Sequence, residues 1–150
     1  MFDDAAIVLK RELVFIPIVG WAMARAGNIT VARGDGAKAL RGLIRQAQDR
    51  VKAGRSILIF PEGTRSKTGE MLPFKKGGFI MAIKAQVPVV PVAVHGGRAA
   101  MRKGSPWVRP VMVDIVVGEP IPTTGLTLDD RDELIARVRA EVERLRASVN

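Results

Sequence analysis

The residues best suited to chemistry lie in one short segment, 60–66, whose sequence is Phe-Pro-Glu-Gly-Thr-Arg-Ser. The segment follows Ser56–Phe60, an apolar run typical of a buried strand in a parallel sheet. Pro61 lacks an N–H and ends the strand, while Gly63 permits the positive φ of a turn and lets backbone N–H groups approach a ligand. Because ligands of open α/β sheets sit beyond the carboxyl ends of strands, the segment lies where a substrate would bind.

The side chains of this segment suit an anion. Arg65 offers a planar fork to a phosphate, and the hydroxyls of Thr64 and Ser66 add further donors. Glu62 would accept a hydrogen bond from a hydroxyl group or hold Arg65. The alternative is an ordinary type I turn with proline at its second position and a solvated Glu/Arg pair, which the three letters Pro-Glu-Gly alone would favour.

The charge of the chain also favours anionic partners. The net charge is +9, and residues 33–110 hold 16 basic but only 4 acidic side chains. A field of this sign gathers phosphates, acidic proteins or an anionic membrane leaflet. A nucleic-acid partner is disfavoured because the chain has no tyrosine, and several of its five phenylalanines and two tryptophans lie inside apolar runs. With no cysteine and one histidine, we expect no usual zinc site and no metal.

Strand and helix patterns alternate along the chain, which predicts an α/β fold. Strands are expected at Ala5–Leu9, Asn28–Ala32, Ser56–Phe60, Pro88–Val94 and Val111–Val117. Helices are expected at Asp35–Ala53, at Gly78–Ala85 and around Leu134, Val138, Val142 and Leu145. Asp35 suits a helix cap and Gly54 suits a helix stop.

The longest wholly apolar stretch, Leu13–Ala24, has 12 residues, fewer than the roughly 20 that a membrane-spanning helix needs. We therefore expect no membrane span. The stretch suits either the protein core or the lipid interface, and Pro17 and Gly20 argue against a long regular helix.

The whole segment 60–66 resembles the third motif of the lysophosphatidate and glycerophosphate acyltransferase family, whose members esterify a hydroxyl of a lysophospholipid. Other family blocks follow in the right order. The second motif is matched by Lys10-Arg11-Glu12-Leu13, Ile16-Pro17, Gly20-Trp21 and Gly27–Arg33, the basic stretch after the third motif by Phe74–Gly78, and the fourth motif by Val87–Val92. The resemblance runs from about Lys10 to Gly97.

The resemblance implies a single α/β domain over 1–150, with a mixed, mostly parallel sheet flanked by helices, that contains motifs two to four and is truncated at its amino terminus. It implies transfer of a fatty acyl group from acyl-CoA or acyl carrier protein to 1-acyl-sn-glycerol-3-phosphate, with no metal or other cofactor. The expected location is peripheral, on the cytoplasmic face of an anionic membrane. The residues expected to bind the acceptor are Lys10, Arg33, Glu62, Gly63, Thr64, Arg65 and Ser66.

One family feature is missing. The first motif is a histidine followed five positions later by an aspartate, with the histidine as general base. The only histidine of this chain is His95, and Ala100 stands five positions later. We therefore expect no catalytic residue in this chain and no acyl transfer by the 150 residues alone, and we interpret His95 as structural.

Two other functions are compatible with the sequence. The chain could be a non-catalytic module, a pseudoenzyme that binds anionic lipid or a membrane surface. It could also be a hydrolase that uses Ser66 with His95. The hydrolase is the weaker hypothesis, because Ser66 is not in a nucleophile elbow and no third acidic partner is marked.

Overall fold

The computed structural model describes residues 6–10, 29–31, 36–100 and 109–149. These residues form two compact units, one up to Phe60 and one from Pro61 onward. The expectation of a single domain over the whole chain stays a prediction, and each unit is described by itself.

The first unit contains a three-stranded parallel sheet. Its strands are β1 (Ala6–Lys10), β2 (Ile29–Val31) and β3 (Ile57–Leu58), in the order β2-β1-β3. Val8 of β1 lies opposite Ile29, and Ala6 lies opposite Ile57. The predicted parallel arrangement is therefore confirmed for these three strands.

Helix α1 (Gly36–Lys52) agrees with the predicted helix within one residue at each end. Ile44 and Ala47 on its apolar stripe are buried. Gly54 stands two residues after the end of the helix, with a φ of +74°. There the N–H of Gly54 donates to Val51 and that of Arg55 to Arg50, the paired bonds of a Schellman motif. The proposed cap, Asp35, lies outside the described residues.

The prediction of a buried strand at Ser56–Phe60 is wrong in extent, and its burial is only partial. Only two residues pair with β1. Ile57 and Ile59 are half-buried, whereas Leu58 is 37% and Phe60 62% exposed. This alternation has the period of a strand that is covered on one face, whereas a continuous apolar run suggests cover on both faces.

The described residues of the second unit form three helices and an antiparallel pair of strands. Its elements are α2 (Gly77–Ala85), β4 (Val92–His95), α3 (Gly97–Ala100), β5 (Asp114–Val117) and α4 (Arg131–Ala147). β4 runs antiparallel to β5, with His95 opposite Asp114. Helices alternate with parallel and antiparallel strand pairs, so the α/β class with a mixed arrangement of strands is confirmed.

The core of the second unit lies between α2 and α4. Its buried members are Phe79, Ile83, Leu134 and Val138. The predicted apolar stripe of α4 is confirmed for Leu134, Val138 and Leu145, which are buried. Asp132 and Glu133 stand in the first turn of α4 and Arg144 and Arg146 in the last, which suits the helix dipole.

A polar corner that the sequence did not indicate connects the end of α2 to the turn before α4. Gln86 has a φ of +52°, and its side-chain amide donates to Ile83 and to Leu126 while its oxygen accepts from the N–H of Gly125. Thr123 is fully buried, and its hydroxyl donates to the carbonyl of Val87 at 2.8 Å. These bonds satisfy the polar atoms that the corner buries.

Within the described part of the chain, no helix has the length and apolar composition needed to cross a bilayer. The apolar stretch Leu13–Ala24 lies outside the described residues.

Candidate functional site

The candidate site is the segment that opens the second unit, residues 61–75, which we call the motif loop. Its two ends meet where the N–H of Lys75 donates to the carbonyl of Pro61 at 2.8 Å. Gly63 has a φ of +67°, so the predicted left-handed turn is confirmed. Phe74, near the far end, stacks on Phe79 with ring centroids 6.2 Å apart and packs against the core. The loop is therefore closed at its base and anchored on one side.

Glu62 connects the two arms of the motif loop. Its side chain is half-buried, and Oε2 accepts a hydrogen bond from the N–H of Leu72 at 2.8 Å. A carboxylate that accepts a backbone N–H is held in one orientation. The expected role of Glu62 in orienting acceptor hydroxyls stays a prediction, and the structure adds an architectural role that the sequence did not indicate.

The three residues after Gly63 differ in exposure. Thr64 and Arg65 are exposed, so the guanidinium of Arg65 is not buried in the interior. Ser66 is half-buried, and its hydroxyl oxygen accepts from the N–H of Gly69 at 3.0 Å and lies 3.4 Å from the hydroxyl of Thr68. Ser66 thus shapes the turn, whereas Thr64 and Arg65 face solvent from it.

Lys75 belongs to the site, although its position in the sequence indicated only the basic stretch that follows the motif. A Cβ added to Gly63 would lie 2.9 Å from both Cε and Nζ of Lys75. The ammonium group therefore lies over the backbone of Gly63, in the space that the absent side chain leaves. Its neighbour Lys76 instead turns to helix α4, where it pairs with Asp132 at 3.4 Å.

The two remaining expected acceptor ligands are not residues of the motif loop. Lys10 is the last residue of β1 in the first unit, and Arg33 lies outside the described residues. The structure thus brings Glu62 through Ser66 together on one loop. The participation of Lys10 and Arg33 in the same site stays a prediction.

His95 does not belong to the motif loop. It ends β4, half-buried, and its Nε2 is shielded from solvent with no hydrogen-bond partner among the described residues. It lines a cavity of about 420 Å³ with Glu143, Arg146 and Ala147. In the described part of the chain Ser66 forms no hydrogen bond with His95, so the geometry does not favour the hydrolase hypothesis.

Among the described residues, no group of three His, Asp or Glu side chains could hold a metal ion. The chemistry that the motif loop itself can do is recognition. It presents an exposed guanidinium, an ammonium group over a glycine and a fixed carboxylate, a combination that suits a phosphate with a neighbouring hydroxyl.

Gly63→Ala is expected to lower the free energy of unfolding by about 1 to 2 kcal/mol, because a side chain disfavours a left-handed φ. The added methyl group would also push the end of Lys75 away from the loop. Chemical denaturation of Gly63→Ala, Lys75→Ala and the double variant measures the cost of the left-handed φ and the cost of displacing Lys75. When Lys75 is already alanine, we expect Gly63→Ala to lower the free energy of unfolding by about 0.5 kcal/mol less than it does in the wild type. Unchanged stability of Gly63→Ala would contradict the conformation described for this turn.

Comparison with known proteins agrees with the sequence blocks. Residues 2–95 match the family model described as Acyltransferase. The 1-acyl-sn-glycerol-3-phosphate acyltransferase of Pseudomonas aeruginosa is 35% identical over 150 residues, an alignment that covers 99% of this chain and 58% of that protein. The human 1-acyl-sn-glycerol-3-phosphate acyltransferase beta is 35% identical over 128 residues, which cover 85% of this chain and 46% of the human protein. The chain spans about half the length of these curated relatives.

The fold has a counterpart of known structure. The crystal structure of the 1-acyl-sn-glycerophosphate (LPA) acyltransferase PlsC from Thermotoga maritima superposes with a TM-score of 0.70 and 32% sequence identity. The superposition covers 96% of this chain and 58% of that one. The resemblance drawn from the ordered motifs is therefore confirmed, and the chain belongs to the acyltransferase family.

Proposed function

We propose that the whole protein transfers a fatty acyl group to the free hydroxyl of 1-acyl-sn-glycerol-3-phosphate, and that the motif loop binds the phosphate of this acceptor. The relatives that cover most of this chain carry the name of that activity. The observation that carries the proposal is the loop itself. It is closed at its base, and it holds the exposed Arg65 and a Lys75 ammonium group directly over Gly63.

In the proposed reaction the acceptor hydroxyl attacks the carbonyl carbon of an acyl thioester, the carbon–sulfur bond breaks, and the hydroxyl proton passes through a base to the leaving thiolate. The thioester is already activated, so the reaction requires no metal. The proposed donor is acyl-CoA or acyl carrier protein, both of them anionic partners that the positive field of residues 33–110 would attract. The same field supports peripheral binding to an anionic membrane on its cytoplasmic face.

The 150 residues are proposed to bind the acceptor without transferring an acyl group to it. Proton abstraction needs a base within hydrogen-bond reach of the acceptor hydroxyl. The only histidine of the chain, His95, lines a cavity together with three residues of α4 and none of the motif loop. The proposal therefore assigns the general base to no residue of this chain.

Titration calorimetry with monomeric 1-octanoyl-sn-glycerol-3-phosphate tests the binding proposal. The matched ligand is 1-octanoyl-sn-glycerol, which has the same chain but no phosphate. We expect the phosphate-bearing lipid to bind at least about tenfold more tightly, because charge-assisted hydrogen bonds are the strong ones. Equal binding of the two lipids would contradict the assignment. Preference for any anionic vesicle over the phosphate monoester would favour the non-catalytic membrane module.

Acyl transfer is tested separately with octanoyl-CoA and a thiol reagent. The chain contains no cysteine, so every thiol detected is released coenzyme A. We expect release to equal the control without protein. Release that depends on the acceptor would show that the 150 residues contain their own base.

A further inference from the structure

The carboxy-terminal helix α4 lies outside residues 2–95, which the family model matches, yet it contacts the segment that carries the site. The contacts follow each other in antiparallel order along the helix. They are Lys76 with Asp132 at 3.4 Å, the carbonyl of Leu72 with Arg139 at 2.9 Å, and the carbonyl of Gly69 with Arg146 at 2.9 Å. One side of the loop segment 69–76 therefore lies along α4.

Among these residues of α4, Arg139 makes several interactions at once. Its two terminal nitrogens donate to the carbonyls of Leu72 at 2.9 Å and Met71 at 3.1 Å, and Nε pairs with Glu143 at 3.1 Å. The guanidinium carbon also lies 5.6 Å from the ring centre of Phe74. The planar guanidinium group of Arg139 is thus oriented by Glu143 at its edge and by the ring of Phe74 against its plane. A lysine cannot reproduce this geometry.

Leu72 connects Arg139 to Glu62. The carbonyl of Leu72 accepts from Arg139, while the N–H of Leu72 donates to the carboxylate of Glu62. Both backbone polar groups of Leu72 are therefore held by charged side chains. Hydrogen bonds linked in this way can reinforce each other, so loss of the Arg139 contact is expected to loosen the contact of Glu62 as well.

We propose that Arg139 is a positioning residue for headgroup binding. It fixes the backbone at Leu72, and through it Glu62, so that the motif loop is already ordered when the phosphate arrives. A loop that must be ordered on binding gives up part of its affinity to the lost conformational freedom. This inference rests on the function proposed above for the motif loop.

Amide hydrogen exchange of the ligand-free protein tests the structural half of the proposal. In Arg139→Ala, exchange at the Leu72 N–H is expected to rise about tenfold, while the amides of α2 keep their protection. Arg137→Ala is the matched control, because Arg137 is exposed on the same helix and the substitution removes the same charge. Unchanged exchange at Leu72 in Arg139→Ala would overturn the proposal.

Calorimetry with 1-octanoyl-sn-glycerol-3-phosphate tests the functional half, at a temperature where every variant is fully folded. We expect Arg139→Ala to bind about five- to tenfold more weakly than the wild type and Arg137→Ala to bind equally well. Arg139→Lys should recover part of the loss, because it keeps the charge but not the fork. A purely structural Arg139 would lower the melting temperature and leave affinity unchanged, which would overturn the proposal.

The two experiments separate this proposal from the one on which it rests. A wild-type chain that binds no lysophosphatidate overturns the proposed function. Even in that case, raised exchange at the Leu72 N–H in Arg139→Ala supports the link from Arg139 to Glu62. Unchanged exchange overturns that link.

Discussion

Arg65→Ala is expected to weaken binding of 1-octanoyl-sn-glycerol-3-phosphate by about 10- to 100-fold. Loss of a hydrogen bond to a charged group costs roughly 1.5 to 3 kcal/mol, and the guanidinium fork of an arginine can donate two parallel hydrogen bonds to a phosphate. Stability should change by less than about 0.5 kcal/mol, because the side chain is exposed. Titration calorimetry measures the affinity, and denaturation by urea measures the stability.

The control for this prediction is Arg41→Ala. Arg41 is exposed on α1, and the substitution lowers the net charge by the same amount while every residue of the motif loop keeps its identity. It therefore isolates the local contact of Arg65 from the general positive field. An affinity of Arg65→Ala within about twofold of the wild type, or an equal loss in Arg41→Ala, would show that Arg65 does not hold the phosphate.

Gly96→Ala is expected to lower the free energy of unfolding by about 2 to 5 kcal/mol, more than Gly63→Ala. Gly96 follows β4 with a φ of +81°, and an added Cβ would lie 2.2 Å from the carbonyl oxygen of Met112. The left-handed φ contributes about 1 to 2 kcal/mol and the overlap about 1 to 3 kcal/mol. Because the clash is with backbone, rotation of a side chain cannot relieve it. Urea denaturation measures the sum.

Gly125→Ala separates the two contributions to this loss. Gly125 has nearly the same φ, +80°, but an added Cβ would meet no atom within 4 Å. Its substitution should therefore cost only the backbone part, about 1 to 2 kcal/mol. Equal losses at the two positions would contradict the close approach of Met112 to the end of β4.

Local structure was largely predictable because it depends on neighbouring residues. The apolar spacing of α1 gave its bounds within one residue, and Gly54 was correctly expected to end it. The turn at Gly63 followed from the freedom of glycine alone. Strand β3 was less predictable, because composition does not reveal whether an apolar run is covered on one face or on two.

Contacts between distant parts of the chain could not be predicted. Arg139 stands among other charged residues of α4, where periodicity predicts only a solvated face, and its partners at Met71 and Leu72 are backbone carbonyls that leave no mark in the sequence. The contact of Gln86 could not be predicted for the same reason, since its side-chain amide donates to the backbone carbonyl of Leu126. Lys75 did carry a signal, its place in the basic stretch that follows the motif, but only the structure places its ammonium group over Gly63.

The contacts from α4 have a consequence for the order in which the protein matures. The bonds of Arg139 and Arg146 to the motif loop join residues 67, 68 and 77 positions apart. A ribosome adds about 5 to 20 residues per second, so residues 61–75 are made several seconds before Arg139. During that interval a nascent chain carries the complete motif sequence without the contacts from α4, and its affinity for a phosphate headgroup should reach its full value only after translation has passed the last turn of α4.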